Sequence, residues 1–177
     1  DPRAFWNKKI LLWEAGRYDV NGQSRNSSLE RIADRSSNSL RHRQCLGVEL
    51  ISKKIEGRHI VELGCGSGML AIPFIEAGAS TYHGIDIADV AIEAAQARAA
   101  GYEQGGRISF EVAQVNTLSE LNRDAIIVSL GLLDWLNDDE LGNLIAQQGE
   151  RDFLHSISED SASLSQLLHR FYVHLAY

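Results

Sequence analysis

The sequence predicts an α/β fold, a doubly wound and mostly parallel sheet preceded by a cap of helices. Three observations carry that expectation. From His59 onward, short apolar runs alternate with stretches of helical periodicity, the rhythm of strands joined by crossover helices. The first run, His59 to Leu63, opens directly into Gly64, Gly66 and Gly68 and then into a helical pattern, giving strand, glycine turn and helix in succession. The chain has 177 residues, 44% hydrophobic and 23% charged, which is one domain's worth and enough to bury a core without disulfides or metal.

Residues 1–57 read as a helical cap and lead-in helix, and 58–177 as the core of the same domain. The cap opens with a helix over Phe5 to Ala15, where Phe5, Trp6, Ile10, Leu12 and Trp13 crowd apolar surface into three turns. Gly16 and the polar run Asn21 to Ser28 interrupt it, and a second helical stretch covers Ser28 to Arg35. A third helix, Leu40 to Ile55, carries Leu46, Leu50 and Ile51 in register and ends near Gly57. The core follows as strand His59–Leu63, helix Met69–Ala77, strand Thr81–Ile85, helix Ala88–Ala100, strand Ile108–Ala113, a helical turn near Leu118–Leu121, strand Ala125–Leu130, helix Asp138–Gln147, strand Asp152–Ile157 and helix Ala162–Ala176. The alanine-rich helix before Gly101 has the strongest intrinsic propensity of these. Right-handed crossovers with a reversal after the first half give the strand order 3-2-1-4-5, with a site outside the carboxyl ends of the strands.

Glycine accepts positive φ cheaply and leaves no Cβ between main chain and ligand, so the turn at Gly64, Gly66 and Gly68 brings bare backbone up to a bound molecule. Two ligand classes use such a turn. The dinucleotide fingerprint is G-x-G-x-x-G with an acidic residue after the next strand, whereas here the spacing is G-x-G-x-G and an acid, Glu62, stands within the preceding strand. Asp86, at the end of the second strand, suits the ribose hydroxyls of either class.

Val61, Glu62, Leu63, Gly64, Cys65, Gly66, Ser67 and Gly68 resemble motif I of the class I methyltransferases that use S-adenosylmethionine (SAM), and the resemblance continues through Gly84, Ile85, Asp86 and Ile87. It covers about Gly57 to Ile157 and implies a Rossmann-like sheet. It also implies a SAM site in which Gly64, Gly66 and Gly68 approach the methionine part, Glu62 orients its amino group, Asp86 holds the ribose, and Cys65 and Ile87 lie along the path. Relatives usually place an acid after the third strand to meet the adenine amino group; this chain has Gln114, whose amide oxygen can accept the same hydrogen bond, followed by Val115. Ser129 to Leu136 resembles motif IV, with Leu130 as the backbone contact to the methionine end and Asp134 as a candidate for orienting the acceptor or for a base. In some small-molecule O-methyltransferases an arginine ahead of motif I holds the SAM carboxylate, a position that Arg41 or Arg43 fills here. Trp13 and Tyr18 are candidates for a cofactor lid, and His42 and His155 for a general base. Class I enzymes normally continue into an antiparallel hairpin, whereas this sequence ends at Tyr177 ahead of one, which reads as natural shortening or as a fragment.

The implied reaction is methyl transfer to a small-molecule acceptor, giving S-adenosylhomocysteine (SAH). Oxygen is favoured as the acceptor atom, because the Pro-Pro-Tyr/Phe pattern of amine methylation and the motif IV cysteine of cytosine methylation are both missing. A noncatalytic SAM-binding module and an NAD-type oxidoreductase stand as alternatives. Net charge is −7 overall, but residues 1–45 balance to +4 and residues 46–177 to −11, which argues against affinity for nucleic acid. Cys45 and Cys65 have neither a disulfide framework nor a paired metal-ligand spacing. With no bilayer-length apolar run and no signal-like start, a cytoplasmic protein without metal is expected. Asp86→Ala or Gly66→Val is expected to weaken SAM binding severely while leaving the fold largely formed.

Overall fold

In the computed structural model, residues 1–14, 42–115 and 122–157 are described. The expected helical stretch Ser28–Arg35, the turn Leu118–Leu121, the helix Ala162–Ala176, Tyr18, Arg41 and the side chain of Trp13 lie outside them. Ten elements follow in order: α1 (Pro2–Glu14), α2 (residues 42–51), β1 (His59–Leu63), α3 (Ala71–Glu76), β2 (Thr81–Asp86), α4 (Asp89–Ala100), β3 (Ile108–Val112), β4 (Ile126–Leu130), α5 (Asp138–Gln148) and β5 (Phe153–Ser156).

The five strands form one parallel sheet in the order β3-β2-β1-β4-β5, as the alternation predicts. Strands β1 and β4 lie at its centre and bury both faces, which is why Ile60-Val61 and Ile126-Ile127-Val128 read as continuous apolar runs. Successive side chains alternate across the pleat. Ile60, Tyr82, Ile126 and Val128 pack with Ile55, Leu70 and Phe74 on one face, while Val61, Leu63, Ile85 and Ile127 pack with Leu144 of α5 on the other.

Helix boundaries depart from expectation where capping chemistry decides. Helix α1 starts at Pro2, three residues early, because Pro2 sits at the first helical position where no N–H is needed, and the Asp1 carboxylate accepts the Arg3 amide at 3.0 Å. Helix α2 is helical only to residue 51, with turns replacing the expected last residues to Ile55. Helix α5 opens with a reciprocal capping box: the Asn137 side chain accepts from the Glu140 amide (2.9 Å), and the Glu140 carboxylate accepts from the Asn137 amide (3.0 Å). Asn137→Ala is expected to lower stability by about 1 kcal/mol, read from the urea midpoint.

Helix α1 packs across the sheet's carboxyl edge. Ile10 is buried with Ala88 and Ala91 of α4, and Asp89 at the start of α4 accepts from the Arg3 guanidinium (Nε at 2.9 Å) and from Asn7 Nδ2 (3.0 Å). That pairing holds the Asp89 carboxyl well below the ordinary carboxylate range. Asn7 Oδ1 in turn accepts the Val90 amide at 3.3 Å. The N-terminal cap is thereby fixed beside the strand order's reversal.

Candidate functional site

The crevice lies outside the carboxyl ends of β1, β2 and β4, where the strand order reverses and where open parallel sheets bind ligands. The loop after β1 carries positive φ at Gly64 (68°), Gly66 (53°) and Gly68 (66°). Asp86 is buried and ties this loop to the start of α4: Oδ2 accepts the Gly66 amide at 2.9 Å and Oδ1 the Ala88 amide at 2.9 Å. A cleft of about 330 Å³ runs from Gly64 and Asp86 past Ile87, Gln114 and Val115 to Leu130. Six residues that the sequence singled out therefore meet in one cavity.

The remaining candidates sit at its edges or elsewhere. Glu62 is 4% exposed, under the loop, and accepts the Tyr82 hydroxyl at 2.5 Å. Cys65 is buried and faces the core: a Cβ on Gly84 would come within 2.8 Å of its Sγ, so the glycine in mid-strand β2 makes room for the thiol. Burial pushes that thiol well above its usual range, with Glu62 and Asp86 adding to the shift. A Cβ on Gly68 would come within 2.7 Å of Phe110 and 3.0 Å of Ala95, so Gly68 serves the packing of α4 and β3 on the loop. The Arg43 guanidinium lies against Gly131, with Nη1 2.6 Å from where a Cβ would stand. Arg43 thereby reaches the loop after β4.

The acid and base candidates are separated from the crevice. Asp134 is exposed in the turn Leu133–Trp135, whose next residue, Trp135, lines the cleft instead. His42 is exposed at the start of α2. His155 bridges β4, β5 and α5: Nδ1 is 2.8 Å from the fully buried Ser129 Oγ, and Nε2 is 2.6 Å from Gln148 Oε1. The amide oxygen can only accept, which assigns the proton to Nε2 and makes Nδ1 the acceptor of the Ser129 hydroxyl. Burial lowers the His155 pKa, in keeping with a neutral ring whose nitrogens are both engaged.

Three functional groups are illegible from motif reading. Glu14, from the end of α1, reaches over the glycine loop, and its Oε1 accepts the Ser67 amide at 2.9 Å. Arg98 of α4 donates from Nε to the Ser67 carbonyl (3.2 Å) and from Nη2 to its hydroxyl (3.3 Å). Trp6 and Trp135 stand edge to face with centroids 4.8 Å apart, and both line the cleft. Helical apolar spacing finds Trp6 as a packing residue and gives no sign that Trp135 meets it.

The electrostatics select a ligand class. Glu14 and Asp86 meet at Gly66 with Glu62 interacting with both, and all three have raised pKa values, with burial the largest cause in each. Asp86 adds to the shift of Glu14 and Glu62, Glu14 adds to that of Glu62, and Arg98 opposes it only at Glu14. A pyrophosphate would add like charge to such a crevice, whereas a net cation relieves it. Such acceptors suit SAM, which carries a sulfonium and an ammonium against one carboxylate, better than a dinucleotide.

Gly66 is the position where close approach is tightest, since a Cβ there would collide with the Glu14 carboxylate and the backbone is left-handed. Gly66→Val is expected to cost about 1–2 kcal/mol for the left-handed residue and to push the Glu14 carboxylate off the Ser67 amide. The checks are SAH titration calorimetry and thermal melting, with lost affinity and a lowered melting temperature as the outcome.

Known proteins agree with this geometry. A family profile described as "Methyltransferase domain" matches residues 60–149. Ribosomal protein L11 methyltransferase of Photorhabdus laumondii is 36% identical over 84 residues, which is 46% of this chain and 27% of that protein. A protein of Arabidopsis thaliana described as a probable protein arginine N-methyltransferase 6 is 31% identical over 94 residues, 53% of this chain and 17% of its own length. The chain thus spans about a quarter or less of the curated relatives it matches. Magnesium protoporphyrin IX methyltransferase from Synechocystis, solved with bound SAM, superposes with a TM-score of 0.68 at 19% identity over 90% of this chain and 75% of that one. That likeness concerns the fold.

Proposed function

The chain belongs to the methyltransferase domain family, and from that premise we propose that it transfers a methyl group from SAM to a small-molecule acceptor, releasing SAH. The observation that carries this reading is the pair of carboxylates on the glycine turn, Asp86 on the Gly66 amide and Glu14 on the Ser67 amide, with Glu62 buried beside them, a setting that suits a cationic nucleoside. When bound, SAM supplies an electrophilic methyl group on a sulfonium sulfur, so much of the protein's task is to align and to exclude water.

Each residue then has a binding or orienting role. Asp86 would accept from the ribose hydroxyls while its oxygens also hold the Gly66 and Ala88 amides. Gln114 would accept from the adenine amino group, with Ile87 and Val115 beside the ring. Glu62 would orient the amino group, directly or through water. Gly64 and Leu130 would present backbone along the methionine part. Arg43 makes no hydrogen bond or ion pair among the described residues and would hold the carboxylate beside Gly131.

Trp6, Trp135 and Leu136 give the mouth an apolar, aromatic character, which supports a small molecule with an apolar face as acceptor. Oxygen is the acceptor atom we assign, from the missing amine and cytosine motifs. Among the described residues no helix is long and apolar enough to cross a membrane.

The test is calorimetric titration with SAH and with NADH, followed by transfer of labelled methyl to panels of small molecules and of proteins. SAH binding and label on a small molecule are the expected results. Binding of NADH in preference to SAH would restore the oxidoreductase reading. SAH affinity without turnover would select a binding module, and label on protein would move the acceptor to the class named in the curated relatives.

A further inference from the structure

We propose that Glu14, carried in by the N-terminal helix, is the anionic partner of the ammonium group at the amino-acid end of the bound nucleoside, so that α1 completes the cofactor site. This rests on the SAM-binding reading above.

Position is the first argument. Glu14 is 53 residues from Ser67 in sequence, yet its Oε1 sits 2.9 Å from the Ser67 amide, against the bare face of Gly66. Glu14 therefore reaches the Gly66–Ser67 part of the loop, the part to which the methyltransferase resemblance assigns the methionine end of SAM. The placement is held from a distance by the clasp of Arg3 and Asn7 on Asp89 and by Ile10 buried on Ala88 and Ala91, so it does not depend on the Ser67 bond alone.

Charge is the second argument. Glu14 is brought toward two further carboxylates, Asp86 and Glu62, with Arg98 as a stabilising cation among the described residues, and Arg98 is shared with the Ser67 carbonyl and hydroxyl. A fold that served only to seat α1 would gain more from a neutral acceptor there, because burying a carboxylate beside another is costly. An ammonium group entering between the loop and α1 supplies the missing counter-charge. Arg43 beside Gly131 offers a cation for the carboxylate of the same amino-acid end, so that Glu14 and Arg43 would read its two charges separately.

The rival role is competition, with Glu14 occupying an amide that the ligand's carboxylate would otherwise take. Titration of SAH and of 5′-methylthioadenosine, which lacks the amino-acid end, separates the two. The variant is Glu14→Gln, whose amide oxygen can still accept from Ser67 and which removes only the charge. A charge-assisted hydrogen bond predicts that SAH affinity falls by about 10- to 100-fold while methylthioadenosine affinity stays within about twofold. Tighter or unchanged SAH binding overturns the proposal in favour of competition. An equal loss for both ligands overturns it as well, since Glu14 would then act through the seating of α1. Should the wild-type chain bind neither ligand, the SAM reading itself fails and this assignment falls with it.

Discussion

Asp86→Ala is expected to reduce SAH affinity by two to four orders of magnitude and to lower the melting temperature as well. On the proposed assignment the binding loss would come from two hydrogen bonds between ribose hydroxyls and a charged acceptor, at roughly 1.5–3 kcal/mol each. The stability loss comes from a second duty that the sequence does not show. The Asp86 carboxylate is the acceptor for the buried amides of Gly66 and Ala88, both at 2.9 Å, and alanine leaves both without it. At about 1–3 kcal/mol per orphaned donor, the melting temperature should fall by roughly 5–15 °C for a chain of this size. The fold is still expected to form, with a lowered melting temperature. Asp86→Asn keeps one acceptor oxygen and should fall between the two. Wild-type SAH affinity in either variant, measured by calorimetry, would remove Asp86 from the site.

Much of this geometry can be read from the chain because it is local. The run His59 to Leu63 followed at once by Gly64 specifies a buried strand that ends in a tight turn, and Thr81 to Asp86 repeats the strand ending in an acid. Parallel strands joined by crossover helices leave few topologies, so the order 3-2-1-4-5 follows once the strands are found. Glu62 and Asp86 stand out because an acid inside or closing an apolar strand is expensive unless something uses it.

What escapes the sequence is whatever depends on packing between distant segments. Glu14 looks like one more charge on an apolar helix until α1 is laid across the loop. Arg98 has the look of a basic residue in the last turn of α4, where cations are ordinarily favourable, yet its guanidinium reaches back to Ser67. Gly84 gives no hint that it clears space for Cys65, because the two meet only through the pairing of β1 with β2. His155 invites a catalytic reading on its own, and only its cross-strand partner Ser129 and the end of α5 reveal both nitrogens to be engaged.

Glu62→Gln is expected to make the ligand-free fold more stable at pH 8 while weakening SAH binding. Glu62 is buried with the Tyr82 hydroxyl as its donor at 2.5 Å, and burial pushes its pKa up to about 8, with Asp86 and Glu14 adding to the rise. In the unfolded chain a glutamate titrates near its ordinary value of about 4.3. Between these values the folded state binds the extra proton, so stability falls as pH rises through that window and levels off above it. The contribution is full below the unfolded value and amounts to a few kcal/mol lost by pH 8. Glu14 and Asp86, also raised, act in the same direction, whereas His155, whose pKa is lowered, adds stability as pH rises. The difference between wild type and variant therefore reports Glu62 together with its coupling to Asp86 and Glu14. Urea midpoints at pH 5, 6.5 and 8 should diverge steadily, with the variant gaining on the wild type, and parallel curves would refute the assignment. A ligand ammonium favours the ionised carboxylate, so wild-type SAH binding near neutral pH should release protons, detectable by calorimetry in buffers of different ionisation enthalpy. The variant should release fewer, because on the proposed assignment the charge that costs the empty fold its stability is the one that the bound ligand would use.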